Sequence, residues 1–245
     1  MELFHRLPVV IADLLRQVRR NDPGASKPGG SGSTLLDVGC WDGEFTVAYA
    51  EALGAELKDT HALDFFPPLL ETAARRGVKA RQIDLETQTF PFPDESFDVV
   101  ICNQVLEHLK QIYLPLSEIH RVLKEGGHAV ISVPNLAALH NRLLLLAGRQ
   151  PATIRIMGPH VRGYACRSFT EFLLHNGLFI CEQMVPVGMY PFPVGIGSTL
   201  AALIPSLCHT PIWLLRKTSS KAPNWHQAME QQKEQTNYFG NDRAS

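Results

Sequence analysis

The sequence predicts an α/β protein whose core is a doubly wound, mostly parallel sheet of about seven strands. Short apolar runs alternate with longer helical patterns between residues 34 and 217, and such alternation implies crossover connections between parallel strands. The chain has 245 residues, enough for one large domain with a sizeable buried core. Polar residues follow several of the apolar runs, which is where ligands bind in sheets of this kind.

The strands and helices follow from the same alternation. Helical patterns end near Leu53, Arg76 and Leu123, and a leucine-rich one covers 136–147. Ser168 and Glu171 form a capping-box pattern that predicts the start of a further helix. The seven segments with strand character are, in chain order, TLLDVGC, THALD, VKARQID, FDVVICN, HAVISVPN, LFICEQMVPV and TPIWLLRK.

Composition divides the chain into four segments. Residues 1–20 have the pattern of an amphipathic helix, 21–33 form a linker rich in Gly, Pro and Ser, 34–217 form the main domain, and 218–245 form a polar tail expected to be disordered. The first segment lacks the continuous apolar stretch and cleavage site of a signal peptide. We therefore expect a protein of the reducing cytoplasm.

Charge and metal-ligand patterns exclude several classes of function. Lys and Arg number 23 against 24 Asp and Glu, and no basic stripe interleaved with aromatic residues is visible, so a nucleic-acid partner is not expected. The five cysteines form no C-x-x-C pair, and no two of the ten histidines lie three to five positions apart. The sequence therefore predicts no metal site. It leaves the oligomeric state open.

Four predicted strands end in polar residues. The first leads into a turn with Gly39 and Gly43, the second and third end at Asp64 and Asp84, and the fourth ends at Asn103. No G-x-G-x-x-G pattern is present, which disfavours NAD binding and a nicotinamide-dependent oxidoreductase. From the residues alone, the first turn fits an ordinary left-handed connection as well as a ligand loop, and Asp64 fits a helix N-cap as well as a ribose ligand.

These segments resemble the ordered motifs of class I S-adenosylmethionine-dependent methyltransferases. The motifs are DVGCWDG, LDFF, IDL and SFDVVICNQVLEHL, followed by RVLKEGG, and the resemblance covers about residues 35–217. Within that class, the small-molecule methyltransferases with a VLEHL helix are the most similar. The resemblance implies a Rossmann-like methyltransferase fold with an antiparallel last strand, and S-adenosylmethionine as cofactor.

The resemblance also implies roles for individual residues. Asp64 would hold the ribose hydroxyls, Phe65 would pack on the adenine ring, and Asp84 with Leu85 beside it would bind the adenine amino group. Asn103 would offer its backbone to the amino end of the cofactor. The residues expected to hold the methionine moiety are Asp37, Gly39, Cys40 and Gly43. The chain departs from the family at Trp41, where a second glycine is usual, and Trp41 is expected to cover the methionine end of the cofactor or the mouth of its pocket.

Three residues are candidates for catalysis. A base near the acceptor would assist transfer to a hydroxyl group, and histidine suits that role near neutral pH. His108 follows the fourth strand, and His160 and Tyr164 lie in a loop that commonly shapes the acceptor site in this family. The alternatives are a histidine bonded to a neighbour at a helix start and ordinary surface residues of a loop.

The stretch from Gln183 to Leu215 contains no Asp, Glu, Lys or Arg. Its prolines argue against a membrane-spanning helix. We predict a helix over Thr199–Leu207 with one apolar stripe, and a peripheral membrane contact through residues 192–209.

The resemblance implies that the protein transfers a methyl group to a small or lipid-like acceptor. The alternative is a catalytically silent protein of the same fold.

Overall fold

The computed structural model describes residues 2–21 and 32–218. Most of the predicted linker and nearly all of the predicted tail therefore lie outside the described residues. Helix α1 spans Glu2–Asn21. The division of the chain into four segments stays a prediction.

The core is one seven-stranded sheet with the order β3-β2-β1-β4-β5-β7-β6. Strand β7 pairs antiparallel with both β5 and β6, whereas the other neighbouring strands pair in parallel. The predicted fold class, including the antiparallel last strand, is confirmed. The strands are β1 (Leu35–Val38), β2 (Thr60–Asp64), β3 (Lys79–Gln82), β4 (Phe97–Asn103), β5 (Leu123–Ser132), β6 (Phe179–Val187) and β7 (Thr210–Lys217).

Helices cover both faces of the sheet. Alternating strand residues face opposite sides, so that Val100 of β4 packs with α4 and α6, whereas Ile101 packs with α1 and α2. This pattern buries both faces, as parallel sheets require. Besides α1, the helices are α2 (Glu44–Leu53), α3 (Pro67–Arg75), α4 (Tyr113–Val122), α5 (Leu139–Leu146), α6 (Cys166–Leu173) and α7 (Val194–Leu203).

Three helices differ in their bounds from the prediction. Helix α5 begins at Leu139 instead of residue 136. Helix α6 begins at Cys166 after Ala165 and has no side-chain cap, so Ser168 lies inside the helix and the predicted capping box does not form. Helix α7 spans Val194–Leu203 instead of 199–207, and a 3-10 turn begins at Pro205. Proline lacks the N–H that would continue an α-helix, which explains why α7 ends before it.

The order of the strands creates a gap between the connections of β1 and β4. The chain moves outward from β1 to β3 and then returns to β4 on the other side of β1, so the connections after β1 and β4 diverge. A crevice opens at this point at the carboxyl ends of the strands. Among the described residues, no helix has the length and apolar character needed to cross a membrane.

Candidate active site

Two adjoining cavities lie at the carboxyl ends of the strands. The first, here called the Asp64 cavity, has a volume of about 590 Å³ and includes Asp64, Phe65, Asp84 and Leu85 in its walls. The second, the histidine cavity, has a volume of about 700 Å³. It is lined by five histidines, His5, His108, His140, His160 and His209. The residues that line both cavities are Gly39, Trp41, Gln104 and His108.

Strand β1 carries a buried acid, Asp37, that lines the histidine cavity. Asp37 is buried, and its carboxylate accepts a hydrogen bond of 2.6 Å from the Thr46 hydroxyl. Burial, with a smaller contribution from the charge of Asp64, raises the pKa of Asp37 to about 7. Gly39 follows with a φ of 79°, and a Cβ atom there would clash with the Val105 side chain. Glycine is therefore required at this position by both conformation and space.

Trp41 occupies the wall between the cavities. Its φ is 53°, in the left-handed region that favours glycine, and its side chain is 62% exposed. Its backbone N–H donates to Asp64 Oδ2 at 2.8 Å. Trp41 is thus not a core packing residue, and its indole lines the two cavities where they meet.

Asp64 joins the ends of β1 and β2. Its Oδ1 accepts hydrogen bonds from the backbone N–H groups of Phe65 at 2.7 Å and Phe66 at 3.2 Å. The N-cap of α3 is Phe66, so Asp64 does not act as the helix cap that the sequence left open. The carboxylate instead holds two loops together and lines the Asp64 cavity, where its remaining lone pairs can accept further hydrogen bonds.

The other predicted cofactor residues occupy separate walls. Asp84 is half-buried, and its Oδ1 accepts a bond of 2.9 Å from the Glu86 N–H. Asn103 lines the histidine cavity, and its Oδ1 accepts a bond of 2.6 Å from the Ser132 hydroxyl. Cys40 also lines the histidine cavity, and burial raises the pKa of its thiol.

Two predicted site residues are not among the described residues that line either cavity. Gly43 has a φ of 79° at the N-cap of α2, where an added Cβ would lie 2.8 Å from the Ala73 Cβ. Tyr164 is buried, and its hydroxyl donates to the Leu106 carbonyl at 3.0 Å. Both positions serve the packing of the fold in this structure, and the catalytic assignment of Tyr164 does not agree with its geometry.

The two predicted histidines lie together. The rings of His108 and His160 meet edge to face with centroids 4.8 Å apart. His160 Nδ1 lies 2.7 Å from the Thr153 carbonyl oxygen, and His108 Nδ1 lies 3.3 Å from that of Pro159. Burial lowers the pKa of His108, which favours the neutral ring.

Sequence reasoning missed three further groups in the histidine cavity. Glu107 is 1% exposed, and burial raises its pKa to about 8. His140 and His209 stack with ring centroids 5.3 Å apart, and burial lowers the pKa of His209 to about 4. An acid directly after the apolar pair Val105–Leu106 was a visible signal for Glu107. His140 and His209 lie far apart in the sequence, so no local pattern marked them.

Comparison with known proteins gives three related results. Residues 36–131 match a family model described as a methyltransferase domain. The demethylmenaquinone methyltransferase of Lysinibacillus sphaericus is 35% identical over 114 residues, covering 45% of this chain and 48% of that protein. The 2-phytyl-1,4-naphtoquinone methyltransferase of Nostoc punctiforme is 35% identical over 107 residues, covering 41% of this chain and 46% of that protein. The chain thus spans about half the length of these curated relatives.

The solved structures agree on the fold. An S-adenosylmethionine-dependent methyltransferase from Mesorhizobium loti has a TM-score of 0.53 at 19% identity, covering 82% of this chain and 96% of that one. The sheet order and the cavities at the carboxyl ends of its strands define a Rossmann-like fold with a ligand crevice. The chain is thus similar to methyltransferases in the sequence of residues 36–131 and in its fold.

Proposed function

We propose that this protein transfers a methyl group from S-adenosylmethionine to a small, lipid-like acceptor. The observation that carries the proposal is the pair of cavities that meet at Gly39, Trp41 and His108. One cavity has the carboxylates expected to bind a nucleoside, and the other is lined by histidines and apolar side chains. A bound cofactor and an acceptor can therefore approach each other at the junction.

The residues of the Asp64 cavity fit the nucleoside half of the cofactor. Asp64 offers carboxylate lone pairs to ribose hydroxyls, and Phe65, 56% exposed, offers an aromatic face to adenine. Asp84 and Leu85 lie in the same wall. Asp37 and Asn103, at the junction side, are assigned to the methionine half. When bound, the cofactor supplies an electrophilic methyl group on a sulfonium.

The protein's own contribution is alignment and the exclusion of water. Displacement at a methyl group is in line, so catalysis depends on holding the acceptor at the junction in one orientation. His108 and His160 both place Nδ1 beside a backbone carbonyl oxygen. Each Nε2 is therefore left to accept a hydrogen bond or a proton from a hydroxyl group of the methyl acceptor. Tyr164 is omitted from this proposal because its hydroxyl already donates to Leu106.

A quinol-like ring is the acceptor class we favour. One support is that relatives of this chain are named as methyltransferases of demethylmenaquinone and of 2-phytyl-1,4-naphtoquinone. The other is that the histidine cavity is large and partly apolar. All five cysteines are free thiols, which agrees with a reducing, cytoplasmic location.

A lipid-like acceptor also suggests contact with a membrane surface. In the predicted contact segment, 192–209, the side chains of Ile196, Leu203 and Ile204 are 58%, 76% and 52% exposed. The neighbouring helix α5 exposes Leu146 at 85%. The chain from residue 126 to 170 contains five arginines and no acid. Exposed apolar side chains beside basic residues are typical of proteins that bind anionic lipid surfaces.

Membrane contact is tested by co-sedimentation with anionic vesicles. We expect Leu203→Glu to reduce vesicle binding several-fold without a change in melting temperature, because Leu203 is exposed. Ile180→Glu is the matched control, since Ile180 is 46% exposed at the start of β6, at the opposite end of the sheet. Equal binding by both variants and the parent protein would exclude contact through α7.

The enzymatic proposal is tested by calorimetry and by transfer of a labelled methyl group. The purified protein should bind S-adenosylmethionine or its demethylated product, and not NAD. Incubation with methyl-labelled cofactor and reduced naphthoquinones, or a cell metabolite extract, should place label on an apolar product. Binding without transfer to any acceptor would favour the catalytically silent alternative. A folded protein that binds neither cofactor form would overturn the proposal.

A further inference from the structure

Glu107, His108 and His160 form a compact cluster in the wall of the histidine cavity. One ligand atom from each, a carboxylate oxygen or a ring nitrogen, lies within 4.8 Å of the other two. Glu107 and His108 belong to the 3-10 turn Leu106–His108 that follows β4, and His160 comes from the loop before α6. The loop is held against this turn, because the Glu107 carbonyl accepts the N–H groups of Val161 and Arg162.

The Glu107 carboxylate lacks the partners that a buried acid needs. The residue is 1% exposed, and neither carboxylate oxygen has a hydrogen-bond partner among the described residues. A buried charge without a partner is strongly destabilising unless a counter-charge compensates it. Asp37, in the same cavity, differs because its carboxylate accepts the Thr46 hydroxyl. Both carboxylate oxygens of Glu107 are therefore available to bind a ligand.

Both histidines are oriented as metal ligands commonly are. A carbonyl oxygen can only accept a hydrogen bond, so the bonds to Thr153 and Pro159 fix the proton on each Nδ1 and leave an Nε2 lone pair. The Thr153 hydroxyl in turn accepts a bond of 3.1 Å from Asn141, whose side-chain oxygen accepts the Ala152 N–H at 2.8 Å. This second layer of bonds holds the loop that positions His160.

We propose that Glu107, His108 and His160 bind a divalent transition-metal ion, with Zn²⁺ as the best match. Two imidazoles and one carboxylate, with a coordination position left open to a cavity, are a ligand set used by catalytic zinc sites. The positive ion supplies the counter-charge that would compensate the buried Glu107 carboxylate. The donor atoms must draw closer around the ion, and the flexible carboxylate side chain permits this.

The site gives the ion a role that rests on the proposed function. All three residues line the cavity assigned to the acceptor, so a bound ion would hold an acceptor oxygen near the junction at Gly39 and Trp41. A bound metal lowers the pKa of a coordinated hydroxyl group. The acceptor class would then be a molecule with a hydroxyl or carbonyl oxygen beside an apolar body.

Metal binding is measured directly with Co²⁺ as a visible substitute for Zn²⁺. The chelator-treated protein should take up one equivalent of Co²⁺, with ligand-field absorption characteristic of nitrogen and oxygen ligands, and Zn²⁺ should displace it. His160→Ala and Glu107→Gln should each weaken Co²⁺ binding by about 100-fold or more, since loss of even an outer-shell partner costs 10- to 100-fold. His140→Ala is the matched control, because His140 lines the same cavity outside the cluster and should leave binding unchanged.

Circular dichroism spectra show whether each variant is folded. If His160→Ala is unfolded, the test relies on Glu107→Gln instead. No Co²⁺ absorption in the parent protein, or absorption that persists in both cluster variants, would overturn the proposal. Loss of binding in His140→Ala with retention in His160→Ala would do the same. Cofactor binding is measured separately on the metal-free protein. The protein can thus be found to bind the metal without binding the cofactor, or to bind the cofactor without binding the metal, so failure of one proposal is distinguished from failure of the other.

Discussion

The Asp64 cavity and the histidine cavity adjoin, yet they are built in different ways. The walls of the Asp64 cavity come from residues at or just after strand ends, and the Asp64 carboxylate accepts three backbone N–H groups. The histidine cavity draws on α1, α5 and loops from distant parts of the chain, and it contains the unpartnered carboxylate of Glu107. The Asp64 carboxylate is held by hydrogen bonds within the protein, whereas the Glu107 carboxylate has no hydrogen-bond partner among the described residues.

This difference suggests a division of labour. Hydrogen bonds within the Asp64 cavity fix its shape before any ligand binds, which suits a cofactor that is the same in every turnover. Loops around the histidine cavity can change in sequence without disturbing the sheet, which suits an acceptor that differs between related enzymes. Substitutions in the two cavities should therefore have separable effects.

The largest expected effect is that of Asp64→Ala. The change removes the proposed ribose contacts and also releases the loops at Trp41 and Phe65, so S-adenosylmethionine affinity should fall by about 1 to 3 kcal/mol. Calorimetry measures the loss, with Asp13→Ala as the control because Asp13 pairs with Arg16 on the exposed face of α1. An unchanged affinity would remove Asp64 from the cofactor site.

The second prediction concerns the pH dependence of stability. The pKa of Asp37 rises from 3.8 to about 7 in the folded protein, so its contribution to stability is fully present below pH 4 and is lost as the pH rises through 7. Asp37→Asn should remove this loss of unfolding free energy between pH 4 and 8. Denaturant unfolding of both proteins without cofactor measures it. Parallel pH profiles would contradict the assignment.

A smaller effect is expected at the adenine-binding wall. Phe65→Ala should weaken cofactor binding by about 1 kcal/mol through loss of the aromatic face. Phe66→Ala is a matched control, because Phe66 is similarly exposed and lines the same cavity but is not assigned to adenine. Equal losses in the two variants would show that the cavity responds to apolar area in general.

The smallest effect should come from Trp41→Gly. The indole is exposed and the backbone φ of 53° suits glycine, so the unfolding free energy should change by less than about 0.5 kcal/mol. Trp41→Ala also removes the indole but keeps a Cβ atom, so it separates the loss of the side chain from the relief of strain at the left-handed backbone conformation. A large fall in melting temperature with intact cofactor affinity would make Trp41 a packing residue.

The contrast between the Asp64 cavity and the histidine cavity also explains how much could be predicted from the sequence. All seven strands and the acids at their ends were predictable, because strand periodicity and terminal carboxylates are local patterns. The pairing of His140 with His209, and of Glu107 with His160, depends on the fold of the loops and was not visible. Helix α7 was displaced for a local reason, because Pro205 begins a separate turn.

The most direct test of the account is photolabelling with an S-adenosylmethionine analogue that carries a photoreactive group on adenine. We predict that label falls on peptides containing Phe65 or Leu85 and that unmodified cofactor suppresses it. Asp64→Ala should reduce the labelling, and His140→Ala should not. Protectable label on α1 or on peptides around Thr153 and His160 would place the nucleoside in the histidine cavity and would contradict the division between the two sites.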